Sequence, residues 1–179
     1  MNFDTYKIND ELLEIYSDSD ETFSVGKILS KDRDSILFRS YDDQGKNDGL
    51  HYVKCSYISK VKSDTKYLRK MQLYLEYWEK KENTHLSNPF PAHPSMSEML
   101  LYAKSYNKII TIAVRSDPDE LITGYIEVCD NESVDVECID METAHIFENV
   151  TLQANDIFYM EIESIDNELL KYANEKLDI

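Results

Sequence analysis

The chain has few of the residues that break regular structure. Its 179 residues include only 4 glycines and 4 prolines, which leaves little material for flexible linker. Three cysteines, Cys55, Cys129 and Cys138, form an odd set with no C-x-x-C spacing. That pattern supplies neither a disulfide framework nor a thiolate metal site, and reads as three small, mostly buried hydrophobes. No apolar run approaches the ~18 residues a membrane helix needs. The opening residues, Met1-Asn2-Phe3-Asp4, have neither the basic nor the apolar segment of a secretory signal. The expectation is a cytoplasmic protein with no membrane association. Chemistry-bearing motifs are missing too: there is no G-x-S-x-G, Walker loop, H-E-x-x-H or G-x-G-x-x-G. Nothing in the order of residues pairs a Ser or Cys with a base. We therefore expect no enzyme activity, no cofactor and no metal.

What is present argues for a folded chain. The apolar share is 42%, with 13 Tyr, 6 Phe and 1 Trp, enough for a core and unlike a disordered segment. The length suits one ordinary domain or two small ones. Charge is abundant and uneven. Residues 1–90 hold 14 Lys/Arg against 16 Asp/Glu and residues 91–179 hold 5 against 19, leaving −2 and −14 of the total −16. Such an asymmetry bears on partners rather than fold: the second half should repel phosphate backbones and attract basic surfaces, or simply keep the protein soluble.

An internal repeat organises the sequence. Residues 17–26, SDSDETFSVG, match residues 116–124, SDPDELITG, with one residue inserted in the first copy. The match continues from Gly26 to Asp32 against Gly124 to Asp130, and Ile36-Leu-Phe38 falls where Val134-Asp-Val136 falls. His51-Tyr-Val53 resembles His145-Ile-Phe147, which suggests a shared structural place on a fourth strand, and Ile58-x-x-Val61 resembles Ile157-x-x-Met160.

Each copy reads as short strands. In the second, Ile109 to Val114 is a β-branched run and Ser116-Asp117-Pro118-Asp119 has turn chemistry. Leu121 to Cys129 resumes the strand, Asp130 to Ser133 turns it into Val134 to Ile139, and 144–152 and 157–162 supply two more. Val134, Val136 and Cys138 alternate with Asp135, Glu137 and Asp140, so one face is wet. Gly26 and Gly124 inside strands mark bends. A tight turn at 130–133 would pair residue 129 with 134 and 138 with 125, which disfavours a Cys129–Cys138 bridge. Thr65 to Lys81 carries Leu68, Met71, Leu75 and Trp78 at helical spacing, widened by Tyr67 and Tyr74. Ser95-Met-Ser-Glu98 is a capping box opening a helix through Met99, Leu100, Tyr102 and Ala103. Asp166 to Leu177 forms a last helix. The predicted organisation is mainly β with flanking helices, of α+β class, as two five-stranded barrels. Residues 1–82 form the first with its following helix, 83–94 a proline-rich linker, and 95–179 the acidic second.

A bent glycine in the second strand with an aspartate six residues on, within a run of five strands beside a helix, resembles the Sm-like fold and the related SH3-like small barrels. The pattern is Gly26 to Asp32 and Gly124 to Asp130, and the resemblance spans about 50–60 residues per copy. RNA-binding members of that family carry an asparagine shortly after the aspartate and an Arg-Gly pair before the last strand. Here Asp32 is followed by Arg33-Asp34-Ser35 and Asp130 by Asn131-Glu132-Ser133, while Ile58-Ser59-Lys60 and Ile157-Phe158-Tyr159 stand where Arg-Gly would be. The family's RNA-contacting residues therefore do not carry over, and the resemblance implies fold alone.

Two surfaces remain as candidates. The acidic one, Asp130, Glu132, Asp135, Glu137, Asp140 and Glu142, would engage a protein partner with a basic surface, as an acidic inhibitor, immunity-like or regulatory protein does. The alternative is a nucleic-acid patch, Lys54, Lys60, Lys62, Lys66, Arg69 and Lys70, with Tyr52, Tyr57 and Tyr67 for stacking, which the acidity of the second copy disfavours. Self-association into a homo-oligomer is a third option. The clusters Asp18, Asp20, Glu21 and Asp117, Asp119, Glu120 lack EF-hand spacing and read as exposed turns. His85 and His93 read as solvated linker residues.

Overall fold

The computed structural model describes residues 3, 6–8, 10–17, 22–82 and 95–177. They form ten strands and three α-helices: β1 (Leu12–Tyr16), β2 (Phe23–Lys31), β3 (Ser35–Tyr41), β4 (Asn47–Lys54), β5 (Lys60–Ser63), α1 (Lys66–Glu82), α2 (Met96–Ser105), β6 (Ile109–Val114), β7 (Asp117–Cys129), β8 (Ser133–Ile139), β9 (Ile146–Gln153), β10 (Ile157–Ile162) and α3 (Ile165–Leu177). Single 3-10 turns, Cys55–Tyr57 and Ala154–Asp156, precede β5 and β10. The protein is thus mainly β with three helices. The chain divides into two compact units, Met1–Gly49 with Val53–His93, and Leu50–Tyr52 with Pro94–Ile179. The proposed linker, 83–94, lies outside the described residues, as do Asp18, Asp20, Glu21, His85 and His93. Among the described residues no helix is long and apolar enough to cross a membrane.

In the first unit the strands run in the order β5-β1-β2-β3-β4, with Leu50–Tyr52 in the middle of β4 belonging to the second unit. Every residue of β1 is buried, because both its faces are covered. One face, Leu12 with Val25 across the β1–β2 ladder, lies under Leu68, Met71 and Leu75 of α1. Burying three such side chains contributes roughly 1.5–3 kcal/mol each. The other face carries Leu13 and Ile28, both fully buried with Phe38. Gly26 lets β3 come close: a β-carbon there would sit 2.5 Å from Phe38 Cδ2 and 2.6 Å from the Arg39 carbonyl oxygen. At the far end of α1, Trp78 is partly buried and its Nε1 donates to the Gln44 carbonyl at 2.9 Å.

In the second unit the order is β10-β6-β7-β8-β9. β6, six buried residues, again occupies the covered centre. On one side α3 places Leu170 against Ile109, Tyr125, Ile139 and Ala144. The α2 capping box forms as the sequence specifies, with Glu98 N donating to Ser95 Oγ and Ser95 N to Glu98 Oε2. Local geometry recurs between the two units. Asp32 accepts from the backbone N–H groups of Asp34 and Ser35, as Asp130 does from Glu132 and Ser133. Cys55 N donates to the Asp34 carbonyl and Ala154 N to that of Glu132. Thr65 caps α1 through Leu68 N, and Ser164 caps α3 through Asn167 N, each after a residue with positive φ, Asp64 and Glu163.

Four expectations need correction. Within each unit the strand row is open, since neither β5 with β4 nor β10 with β9 pairs to close a barrel among the described residues. The chain reversal after β6 uses Arg115 and Ser116, and Asp117 already pairs with Val114 as the first residue of β7. Asp156 fixes that reversal by accepting from Ser116 N at 3.0 Å and Arg115 Nε at 3.3 Å. Cys129 faces Val134 as expected, but Cys138 faces Gly124 rather than residue 125, because a bulge between Ile126 and Val128 slips the register by one. β2 carries the same irregularity between Ile28 and Ser30. Finally, His51 and His145 are not equivalent. His51 is buried inside β4, whereas His145 is exposed in the turn before β9, its carbonyl accepting from Asp140 N.

Candidate functional site

The six acidic candidates separate by chemistry into two groups. The aspartates serve the fold. Asp130 Oδ1 accepts from Glu132 N and Ser133 N, and Asp140 Oδ1 from Glu142 N, Thr143 N and the Thr143 hydroxyl. Both carboxyls are held below the ordinary aspartate range, Asp130 chiefly by the Ser133 N–H and Asp140 chiefly by Thr143. Asp135 Oδ1 accepts from Thr151 Oγ1 at 2.7 Å across the β8–β9 ladder. The glutamates are differently placed. Glu132 and Glu142 are exposed in the turns and Glu137 is half-buried on β8 opposite Asn149. No hydrogen bond or ion pair of these three carboxylates is found among the described residues, so they face outward as available anions.

The basic candidates follow one another along the chain, with Lys54 at the end of β4, Lys60 and Lys62 on β5, and Lys66, Arg69 and Lys70 in the first turns of α1. Most are engaged locally. Arg69 makes two bonds to Asp64, at 2.9 and 3.0 Å, and pulls that carboxyl below its usual range. Lys62 Nζ donates to Tyr16 Oη at 3.0 Å, which raises its pKa, and lies 4.0 Å from Glu14. Lys60 sits 5.4 Å over the Tyr16 ring, and Lys70 lies 4.3 and 5.1 Å over Tyr67 and Tyr74. Tyr52, offered for stacking, is in the core at 7% exposure, and Tyr67 packs edge-on against Phe23. The exposed rings are Tyr74 and Tyr77. Helical periodicity brings them to the outer face of α1, a placement masked in the sequence by the wide apolar stripe around them.

Sequence reading did not find the buried polar groups. In the first unit Glu14, 3% exposed, accepts from Tyr16 Oη at 2.8 Å and Thr65 Oγ1 at 2.5 Å. In the second, Tyr159 Oη donates to Glu161 Oε2 at 2.6 Å and meets His51 Nδ1 at 3.1 Å, while Ser164 Oγ donates to Glu161 Oε1 at 2.8 Å. Since the Tyr159 proton goes to Glu161, the His51 contact requires a proton on Nδ1. The chain continues through Asn167 to Thr111 and Thr123. Among the described residues every buried side-chain nitrogen or oxygen has a partner, which is the condition for such networks to hold a fold together. The only advance signal was the placement of single polar residues inside apolar strand runs.

The three thiols are unbridged, and burial pushes each pKa up, which opposes thiolate chemistry. Among the described residues no three His, Cys, Asp or Glu side chains gather as a metal site. A shallow cavity of about 110 Å³ opens between α2 and the β7–β8 turn, lined by Ser97, Leu100, Leu101, Cys129, Asp130 and Asn131. Small-molecule sites run to roughly 300–1,000 Å³. Comparison with family models, with curated proteins and with solved structures finds no match to this chain.

Proposed function

We propose that this chain is a non-enzymatic interaction protein, built from two related small β-units of Sm-like or SH3-like plan, whose acidic second unit receives a basic protein surface. The plan is supported by the order β5-β1-β2-β3-β4 in one unit and β10-β6-β7-β8-β9 in the other, each with a 3-10 turn before its last strand. The function rests on one observation: among the described residues Glu132, Glu137 and Glu142 have no side-chain partner, in the half of the chain that carries −14. An acidic inhibitor or immunity-like protein works in this way, its charge accelerating encounter and its affinity falling with salt. The test uses Glu132→Lys with Glu137→Lys as bait beside the native chain. Capture of basic proteins by the native chain should drop several-fold in the variant, and unchanged recovery would overturn the assignment.

Nucleic-acid binding is the second reading, favoured by the continuous basic run from β5 into α1 beside the exposed Tyr74 and Tyr77. Lys66→Ala with Lys70→Ala is the suitable variant, because Lys62 is tied to Tyr16 and Glu14. If single-stranded RNA and DNA show no mobility shift with the native chain at about 50 mM salt, where phosphate contacts are strongest, this reading fails.

A further inference from the structure

The second unit ends its strand order at β9, and none of the described strands pairs with the outer edge of β9. Such an edge offers a row of backbone donors and acceptors to any strand laid beside it. Its first half is open: Ile146, Phe147, Glu148 and Asn149 are all exposed, Phe147 at 59%. Leucine and methionine side chains stand at the same end. Met141, in the β8–β9 turn, is 58% exposed, and Leu121, on the part of β7 that runs past the end of β8, is 61% exposed. Exposed apolar groups gathered with a free edge mark an interaction site rather than ordinary surface. The chain from Ser116 to Leu170 contains no lysine or arginine, and Asp140, Glu142 and Glu148 are the acidic groups nearest this edge in sequence, with His145 beside them.

The pleat decides what would fit. Asn149 and Thr151 pair with Glu137 and Asp135, and Glu148 pairs with Cys138. The register slips between Cys138 and Ile139, so Phe147 is a bulged residue with no partner on β8, and beside it Glu148 lies on the Cys138 face, opposite to Asn149 and Glu137. Phe147 and Glu148 are successive exposed residues, so a complementary strand presents an apolar residue to one and a cation to the other in succession. We propose that β9 is a strand-addition site for an extended segment of a partner protein in which Lys or Arg alternates with apolar residues. This rests on the basic-partner reading above and specifies where and how that partner is held. A second copy of the chain fits less well. Its acidic half repels this one, and its basic strand β5 has only 4 residues against 8 in β9, with Lys62 already bonded to Tyr16.

The probe is a capped ten-residue peptide of alternating Lys and Val, titrated into the full chain at about 50 mM salt and followed by amide NMR shifts and hydrogen exchange. Three companions complete the set: the same peptide N-methylated at alternate residues, a Lys-Gly repeat of equal charge, and the Phe147→Ser chain. Protection should appear in the amides of β9. The N-methylated peptide should bind about tenfold more weakly because it cannot complete the ladder, and Phe147→Ser should cost the Lys-Val peptide about fivefold. Equal binding of the Lys-Val and Lys-Gly peptides, with shifts centred on Glu132 and Glu142, would overturn strand addition while leaving the basic-partner reading intact. Failure of every peptide to bind overturns both. Concentration-dependent protection of β9 in the chain alone would show that a second copy occupies the edge, and would also overturn the proposal.

Discussion

Replacing Glu14 by alanine tests how the first unit is held together. The carboxylate is 3% exposed and bonded to Tyr16 Oη and Thr65 Oγ1. Hydrogen bonds to a charged group contribute about 1.5–3 kcal/mol each, so the two together give roughly 3–6 kcal/mol. Lys62, 4.0 Å away with its side chain partly exposed, adds little because solvent screens it. The Thr65 cap on Leu68 survives the change. Glu14→Ala should therefore destabilise the unit by about 4 kcal/mol, and Glu14→Gln, which keeps one acceptor oxygen and the volume, by about half as much. Urea unfolding followed by tryptophan fluorescence reads this unit specifically, because Trp78 is the sole tryptophan and belongs to α1. A Glu14→Ala midpoint equivalent to less than about 1 kcal/mol of loss, or a glutamine variant weaker than the alanine one, would refute the view that this carboxylate is the hub of the network.

Further outcomes follow from the same geometry. A β-carbon at Gly124 would overlap the Glu137 carbonyl of the adjacent strand, so Gly124→Ala should destabilise the unit by more than the ~1–3 kcal/mol of ordinary overpacking, read as a lowered thermal midpoint by far-UV circular dichroism. Ser164→Ala removes the α3 cap and a bond to Glu161, and should cost about 1–3 kcal/mol with faster amide exchange in α3. Asp130 and Asp140 have folded pKa values depressed by turn N–H and hydroxyl donors. Their stabilisation is complete above the unfolded value near ~3.9 and is lost as pH falls through the lower folded value. Asp130→Asn with Asp140→Asn keeps turn acceptors but removes the titration, so the acid limb of the melting curve should flatten below about pH 4. An unchanged limb would assign acid unfolding to other groups.

Local chemistry was legible wherever one segment decides its own structure. Ser95-x-x-Glu98 closed its capping box, Ile109 to Val114 became β6 with the expected bounds, and Val134, Val136 and Cys138 are buried while Asp135 and Glu137 are not. What failed depended on partners distant in sequence. Pro118 suggested a turn, yet Asp156, far along the chain, holds the reversal at Arg115–Ser116 and leaves Pro118 in a strand. A bulge at Glu127 moved Cys138 from residue 125 to Gly124, a shift of one position that no alternation pattern reveals. His51 and His145 share a local motif, but the hydrogen bonds that shape the turn at Asp140 place the second histidine before the strand instead of within it. For the acidic surface, composition gave the sign of the charge, while only hydrogen-bond geometry separated aspartates that cap turns from glutamates that do not.

The polar pairs at corresponding ladder positions bear on why the second unit is so acidic. Where β1 and β5 set Glu14 opposite Lys62, β6 and β10 set Thr111 opposite Glu161. In both units a carboxylate accepts the hydroxyl that caps the following helix, Thr65 in one and Ser164 in the other. In the first unit the carboxylate stands on β1 and a lysine on β5, whereas in the second the glutamate stands on β10. Glu161 is satisfied by the hydroxyls of Tyr159 and Ser164, with His51 Nε2 at 3.9 Å, and no lysine stands across the ladder from it. Solubility alone would call only for exposed carboxylates. The stretch from Ser116 to Leu170 has no Lys or Arg of its own, and the unit's cations Lys108, Arg115 and Lys171 are paired with Glu163 and Glu168, Asp156 and Glu175. Negative potential is greatest where cations are absent and apolar groups exclude water. On the strand-addition proposal, a basic strand at the open half of β9 would meet Glu148 where no Lys or Arg lies nearby in sequence.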